Sequence, residues 1–204
     1  DSKTGATFDD PTTGQNNPFT VNVGDSWVVV VGTTDTANYK APKTVMKDNV
    51  QYAFDPIASD ALTGNAATTV KLVYSEDKIG PNGPDGIPDK YQATVTFKVV
   101  NGTWDEGGNS PKTQVVTLLY QKADGTYVVK DSETVAAPTG MKANTGYGNG
   151  TWTNVTGGKV TVSANQNVTA THTFVINKYN VAIRYLEEVT KAVLKTAVLT
   201  SNVA

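Results

Sequence analysis

The residues best suited to chemistry are concentrated in one short stretch. Asp77, Asn82, Asp85 and Asp89 lie in or beside Ile79–Tyr91, which reads I-G-P-N-G-P-D-G-I-P-D-K-Y. Hard oxygen donors in a glycine-rich loop are what Ca²⁺ takes. An EF-hand loop, however, needs oxygen ligands at alternating positions before its glycine and a Glu six residues beyond it. With Gly86 in the glycine slot, Pro81 and Gly83 occupy ligand positions, so the pattern departs from that loop. The stretch reads first as a stiff linker, with Ca²⁺ held by these four residues as the alternative.

Other chemistry is sparse. The one histidine, His172, falls by period-2 counting on the same strand face as Val168, Ala170, Phe174 and Ile176. The chain has no cysteine and no second histidine, so neither a metal site nor a nucleophile–base pair can be completed around it. Asp9-Asp10, Asp105-Glu106 and Glu187-Glu188 are adjacent carboxylates, and adjacent strand residues point to opposite faces. None is a ready acid/base dyad. The glycine clusters lack the Lys-Ser/Thr and the helix start that cradle phosphate. Asn101, Asn149, Asn154 and Asn167 each open an Asn-X-Thr triplet, expected at turns and strand ends in so Thr- and Asn-rich a chain. Nothing in this inventory points to catalysis, so the chain is expected not to be an enzyme.

The elements that must position these groups are strands. Thr, Val, Gly and Asn are plentiful, which favours strands and turns over helices. With a net charge of −2 and no basic stripe, nucleic acid is not an expected partner. No apolar run approaches the roughly 20 residues of a membrane helix. The chain starts at Asp1 without a Met or signal segment, which suggests a mature or excised piece of something longer.

Pro81, Pro84 and Pro88 each remove a backbone donor, and Gly80, Gly83 and Gly86 favour turns. As a linker, this stretch divides the chain into a β module over 1–77, the Pro/Gly segment 78–91, a second β module over 92–177 and an opening segment over 178–204. The modules are then expected to dock through a small contact at most. In the first module, strands are expected at Ala6–Phe8, Phe19–Val23 and Ser26–Gly32, around Val45, over Val50–Phe54 and over Ala67–Ser75. A turn is expected at Asp9–Gly14, and a short helix from Asp55-Pro56 to Gly64. In the second, Gln92–Val100 alternates with Ala93, Val95, Phe97 and Val99 inward. Asn101-Gly102 closes it, Thr113–Tyr120 follows, and Asp124-Gly125 turns into Thr126–Lys130. A loop is expected from Ala136 to Trp152, and a last strand over Asn167–Ile176. The tail carries both periods: strand alternation at Tyr179, Val181 and Ile183, and helical spacing at Leu186, Val189 and Val193. Its β-branched run to Val203 favours strands.

Residues 91–176 resemble the internalin-type B-repeat, a small β-grasp module of bacterial surface proteins. The resemblance rests on Val95-Thr96-Phe97, Asn101-Gly102-Thr103, Ala137-Pro138-Thr139, Gly146-Tyr147 with Gly150 and Trp152, and Val168-Thr169-Ala170, in that order. Thr151 is an insert relative to that pattern. Independently of the resemblance, Tyr147 and Trp152 are apolar plugs beside glycines that let backbone approach closely. Residues 1–76 show a weaker resemblance to the mucin-binding-protein repeat of Gram-positive surface proteins. It is carried by Thr7-Phe8-Asp9 with Thr13-Gly14, Val23-Gly24-Asp25, Tyr39-Lys40-Ala41-Pro42 and Val70–Tyr74. Tyr179–Glu188 is similar to the opening of that repeat.

The fold expected is therefore mainly β: two small β-grasp-like or Ig-like modules joined by a Pro/Gly-rich linker, with a C-terminal partial repeat. The resemblances imply extracellular repeat modules of a bacterial surface protein, acting as stalk and adhesin. A host-ligand-binding domain for a mucin glycan or an immunoglobulin competes with this, as does an accessory module of a larger secreted enzyme. A binder should present aromatics beyond what its core consumes, and Trp27, Trp104 and Tyr120 are the candidates. Trp104 follows a turn and is the surface candidate. A partial repeat leaves open edges, so self-association through residues 180–204 is expected.

Overall fold

The computed structural model describes residues 21–32 and 39–203, with side chains as far as Val198. The strand at Ala6–Phe8, the turn at Asp9–Gly14 and the first residues of Phe19–Val23 lie outside the described residues. The architecture is mainly β, as the composition predicts, and is built of several small sheets. In chain order the strands are β1 (Trp27–Val31), β2 (Tyr39–Ala41), β3 (Thr44–Lys47), β4 (Val50–Phe54), β5 (Thr63–Gly64) and β6 (Tyr74–Glu76). A three-residue 3₁₀ turn, Asp89–Tyr91, leads into β7 (Gln92–Val100), β8 (Gly102–Trp104), β9 (Lys112–Thr117), β10 (Leu119–Gln121) and β11 (Tyr127–Val129). Then come β12 (Glu133–Ala136), β13 (Met141–Ala143), β14 (Tyr147–Thr153), β15 (Lys159–Val162), β16 (Asn167–Leu186) and β17 (Val193–Val203).

The chain forms two compact units. One takes in the chain through Val95 together with Gln114–Val135 and Thr161–Val168; the other comprises Thr96–Thr113, Ala136–Val160 and the chain from Thr169. The Pro/Gly stretch falls inside the first unit, which also draws on segments well beyond Tyr91. The units therefore do not follow breaks at 77/78 and 91/92.

In the first unit, β1 pairs in parallel with β2 (Val29↔Tyr39) and antiparallel with β5 (Trp27↔Gly64). Its alternation puts Trp27 and Val29 inward with Tyr39 and Ala41, while Leu62, Val70 and Leu72 pack around them. A second sheet, β3-β4-β6, is antiparallel throughout. Its core residues are Tyr52, Ala53 and Tyr74. Three expectations are corrected here. Val21–Val23 is not a strand, because Asp25 N–H closes a turn on Asn22 O at 3.1 Å. Asp55–Ser59 makes one turn rather than a helix. Ser59 N–H reaches Asp55 O, but Asp60 N–H already goes to Lys71 O, so the next residue bonds to a distant segment instead of continuing a helix. Of Ala67–Ser75, only the end enters a strand.

A five-stranded sheet has the order β14-β16-β7-β9, with β17 paired to β16. The alternation of β7 is as the sequence predicts: Ala93, Val95, Phe97 and Val99 are buried and Lys98 is exposed. The stretch expected as loop contains β14, whose register with β16 shifts between Gly148 and Thr151. The residue that reads as an insert in the B-repeat pattern thus lies at an irregularity in the pairing. β8 pairs antiparallel with β13, and Trp104 is buried at 2% exposure, which corrects its expected surface position.

The tail is the strand hairpin that its β-branched run predicts, β16 with β17, joined through a turn at 187–192. Its apolar face changes side. Up to Phe174 the even residues Ala170, His172 and Phe174 face the core, whereas over Tyr179–Tyr185 the odd residues carry the large apolar groups. Tyr179, Val181, Ile183 and Tyr185 are 53%, 49%, 40% and 52% exposed. Because side chains alternate strictly along a strand, this stripe points away from the face that β16 gives to the core of the second unit.

Candidate functional site

The most heavily engaged polar group in the described chain is Asp55, a carboxylate with no exposed surface. Its Oδ1 accepts the Ile57 and Ala58 amides at 3.2 and 3.1 Å and the Tyr91 hydroxyl at 2.8 Å. Its Oδ2 accepts the Ser75 hydroxyl at 2.7 Å and pairs with the Lys90 ammonium. The local sequence explains this. Asp55 begins a turn, where an Asp side chain naturally collects the amides two and three residues on. The 3₁₀ turn after Pro88 then puts Lys90 and Tyr91 in reach. Burial pushes the Asp55 pKa up, but bonds from Lys90, Ser75, Tyr91 and the Ala58 amide outweigh it and hold the carboxyl below its ordinary value. Burial, together with the bond to Asp55 and its charge, pushes the Tyr91 hydroxyl far up. Both groups are locked in their resting protonation states, and the arrangement ties three segments together.

Three of the four oxygen donors of the Pro/Gly stretch do similar work. Asp77 accepts Asp85 N–H, Gly86 N–H and the Gln51 side-chain amide at 3.0, 2.8 and 2.7 Å. Asp89 accepts Lys78 N–H and Ile79 N–H, both at 2.9 Å. Asp85 accepts Ile87 N–H at 3.0 Å and the Gln92 side-chain amide at 2.8 Å. Asn82 is exposed at the tip. The stretch is thus folded back on itself by its own carboxylates, which satisfy the amides that its turns leave open. Among the described residues, no three His, Asp or Glu side chains gather as a metal site.

Of the three aromatic candidates, two are spent internally. Trp27 is 8% exposed and donates its indole N–H to Ala66 O at 2.8 Å. Trp104 donates to Ser110 O at 2.9 Å and lies under the Lys112 ammonium, 4.4 Å from the ring centre. Tyr120 is 42% exposed on the β10–β11 hairpin, with Lys130 5.7 Å from its ring centre.

A concavity that composition did not reveal lies in the second unit. It is an open groove of about 500 Å³ between the segment Ala137–Met141 and Asn149–Trp152, with His172 and Phe174 also lining it. The His172 ring stands edge-on to Trp152 and to Phe174, at 5.1 and 4.6 Å between ring centres. Gly150 is required here: a Cβ on it would lie 2.0 Å from the imidazole Cε1. His172 Nδ1 is buried without a hydrogen-bond partner. The apolar strand face assigned to His172 by counting is where it sits. The close approach of Gly150 was signalled by the Gly-X-Trp pattern, but the groove itself had no sequence signal.

No protein-family model matches the chain, and no curated protein sequence does.

Proposed function

We propose that the chain is a pair of non-enzymatic β modules from an extracellular, repetitive bacterial surface protein, serving as stalk and adhesin scaffold. The observation that carries this is where its large aromatics go: Trp27 and Trp104 are in cores, with both indole N–H groups bonded internally. A glycan or immunoglobulin binder would present such rings as anchors. The B-repeat and mucin-binding-repeat motifs supply the bacterial cell-wall setting. No helix among the described residues is long and apolar enough to cross a membrane. The test is a binding screen of the chain against mucins, plant-type and host glycans, and serum proteins. Saturable binding abolished by Tyr120→Ala would replace the stalk with a host-ligand-binding domain, the reading favoured by the exposed Tyr120.

Self-association follows from the tail. The β16–β17 ribbon presents Tyr179, Val181, Ile183 and Tyr185 to solvent, and a two-stranded unit is marginal in water on its own. β17 also carries only Lys195 as a charge to discourage edge pairing. Strand addition through residues 180–204 then produces a dimer by light scattering, and deletion of those residues returns a monomer. A full chain that is already monomeric with a protease-sensitive tail excludes this.

Stalk modules without cysteine can be stiffened by amide cross-links between Lys and Asn or Asp. Lys71, in the segment before β6, and Lys98, on β7, are exposed, and Lys90 faces a carboxylate held in its ionised form. The intact mass is therefore expected to equal that of the sequence. A deficit of one ammonia or one water would show a cross-link.

A further inference from the structure

We propose that His172 is an acid-operated wedge in the second unit: when its imidazole takes up a proton, the segment 137–140 moves away from β14 and the open groove widens. The motive is geometric. The imidazole is 8% exposed, its Nδ1 has no partner, and it is enclosed by Trp152, Phe174 and the Cα of Gly150. An imidazolium presents two N–H donors and a charge, and both need water or an acceptor.

No acceptor of negative charge is in place. Facing the ring from 137–141 are Ala, Pro, Thr, Gly and Met; β14 carries only Tyr147 as a titratable group. The charged groups on the adjoining elements are Asp105, Lys142 and Lys159. Asp105 lies beside Gly140 but faces Lys142, its Oδ1 3.9 Å from the ammonium, and both are well exposed. Lys159 is exposed on β15, and Lys98 is exposed on β7. Two of these three lysines add positive charge without a counter-ion nearby.

The wall that must yield is the one least fixed by secondary structure. Residues 137–140 belong to no strand. Ala137 N–H bonds Gly158 O at 2.9 Å, and Gly140 O accepts Asp105 N–H at 2.9 Å, so the wall is held at its two ends. Opening it lets water reach Nδ1 while β14 and β16 stay paired.

The direction follows from linkage. Burial holds the His172 pKa below its ordinary value. A group with a lowered pKa in the observed form takes its proton more readily in a widened or unfolded form. The observed groove is favoured above about pH 6.5, the ordinary histidine value, and gives way to the widened one as pH falls through and below it.

The test uses the full chain, where the one histidine gives one set of imidazole resonances. These are titrated by NMR alongside exchange of the Ala137 and Asp105 amides, which hold the two ends of the wall, corrected for the intrinsic pH dependence of exchange. Expected are a midpoint below about 6.5 and a loss of protection of up to about tenfold per pH unit between about 6.5 and that midpoint. His172→Phe keeps an aromatic ring and removes the proton site, so its protection stays flat over the same range. A midpoint at or above 6.5, protection that does not change, or the same loss in the Phe variant overturns the proposal. If the Phe variant does not fold, the titration and exchange of the unmodified chain decide it alone.

Discussion

Asp55→Ala is expected to lower the free energy of unfolding by about 3–5 kcal/mol, because it leaves several buried donors without an acceptor at about 1–3 kcal/mol each. The substitution strips a partner from Lys90, Tyr91, Ser75 and the Ile57 and Ala58 amides together. Lys90 is 39% exposed and can turn to water, whereas Tyr91 and Ser75 are buried. Most of the loss therefore comes from the hydroxyls and amides. Tyr91→Phe removes one donor and leaves the other four, so about 1–2 kcal/mol is expected. Urea unfolding followed by circular dichroism measures both. A loss under about 1 kcal/mol for Asp55→Ala would show that the carboxylate is not a keystone. The pH dependence has a definite sign. The Asp55 pKa is lowered on folding, so its contribution is present above the unfolded value near 3.9 and is lost as pH falls through the folded one.

Gly102→Ala is expected to cost about 3 kcal/mol, the upper range for forcing a methyl into a packed core. The added Cβ would stand 2.5 Å from Lys142 O and 2.5 Å from the Phe174 ring. Neither can give way cheaply. The carbonyl belongs to β13, which is paired with β8 across Gly102 itself. The ring is buried against His172, and its own carbonyl accepts the Asn101 side-chain amide at 3.0 Å. Relief would require β8 and β13 to separate, so the same unfolding measurement should be joined by lost amide protection at Gly102 and Ala143. A fully stable Gly102→Ala protein with unchanged protection would mean that the strands are more loosely apposed than described.

Strand content was legible because period-2 patterns are local: Gln92–Val100 alternates cleanly, and its burial follows residue by residue. The polar keystones were not. Asp55 opens the short helix expected as far as Gly64, and it does cap a turn, but its hydroxyl and lysine partners come from residues 75, 90 and 91. Contacts that distant leave no periodic trace. The Pro/Gly stretch illustrates the same limit. Proline and glycine announce turns and rule out a central strand, yet they do not say whether the turns hang free or close on side chains. Closure here depends on Asp77 and Asp89, whose identical chemistry suggested a cation. Trp104 misled for a related reason. A turn brings its flanking residues to the surface in general, but β8 runs inward immediately after Asn101.

The change of apolar side along β16 has a mechanical consequence. Twenty residues of unbroken strand span about 65 Å at roughly 3.3 Å per residue, with neither proline nor glycine to act as a joint. Tension entering at Leu186 is delivered in line to Phe174 and His172. The hydrogen bonds that join β16 to β14 lie across that line, so they are loaded in shear and resist together rather than one after another. A strand so built behaves as a splint: it transmits pull without bending, and it holds the exposed stripe of Tyr179 to Tyr185 at a fixed turn from the buried one.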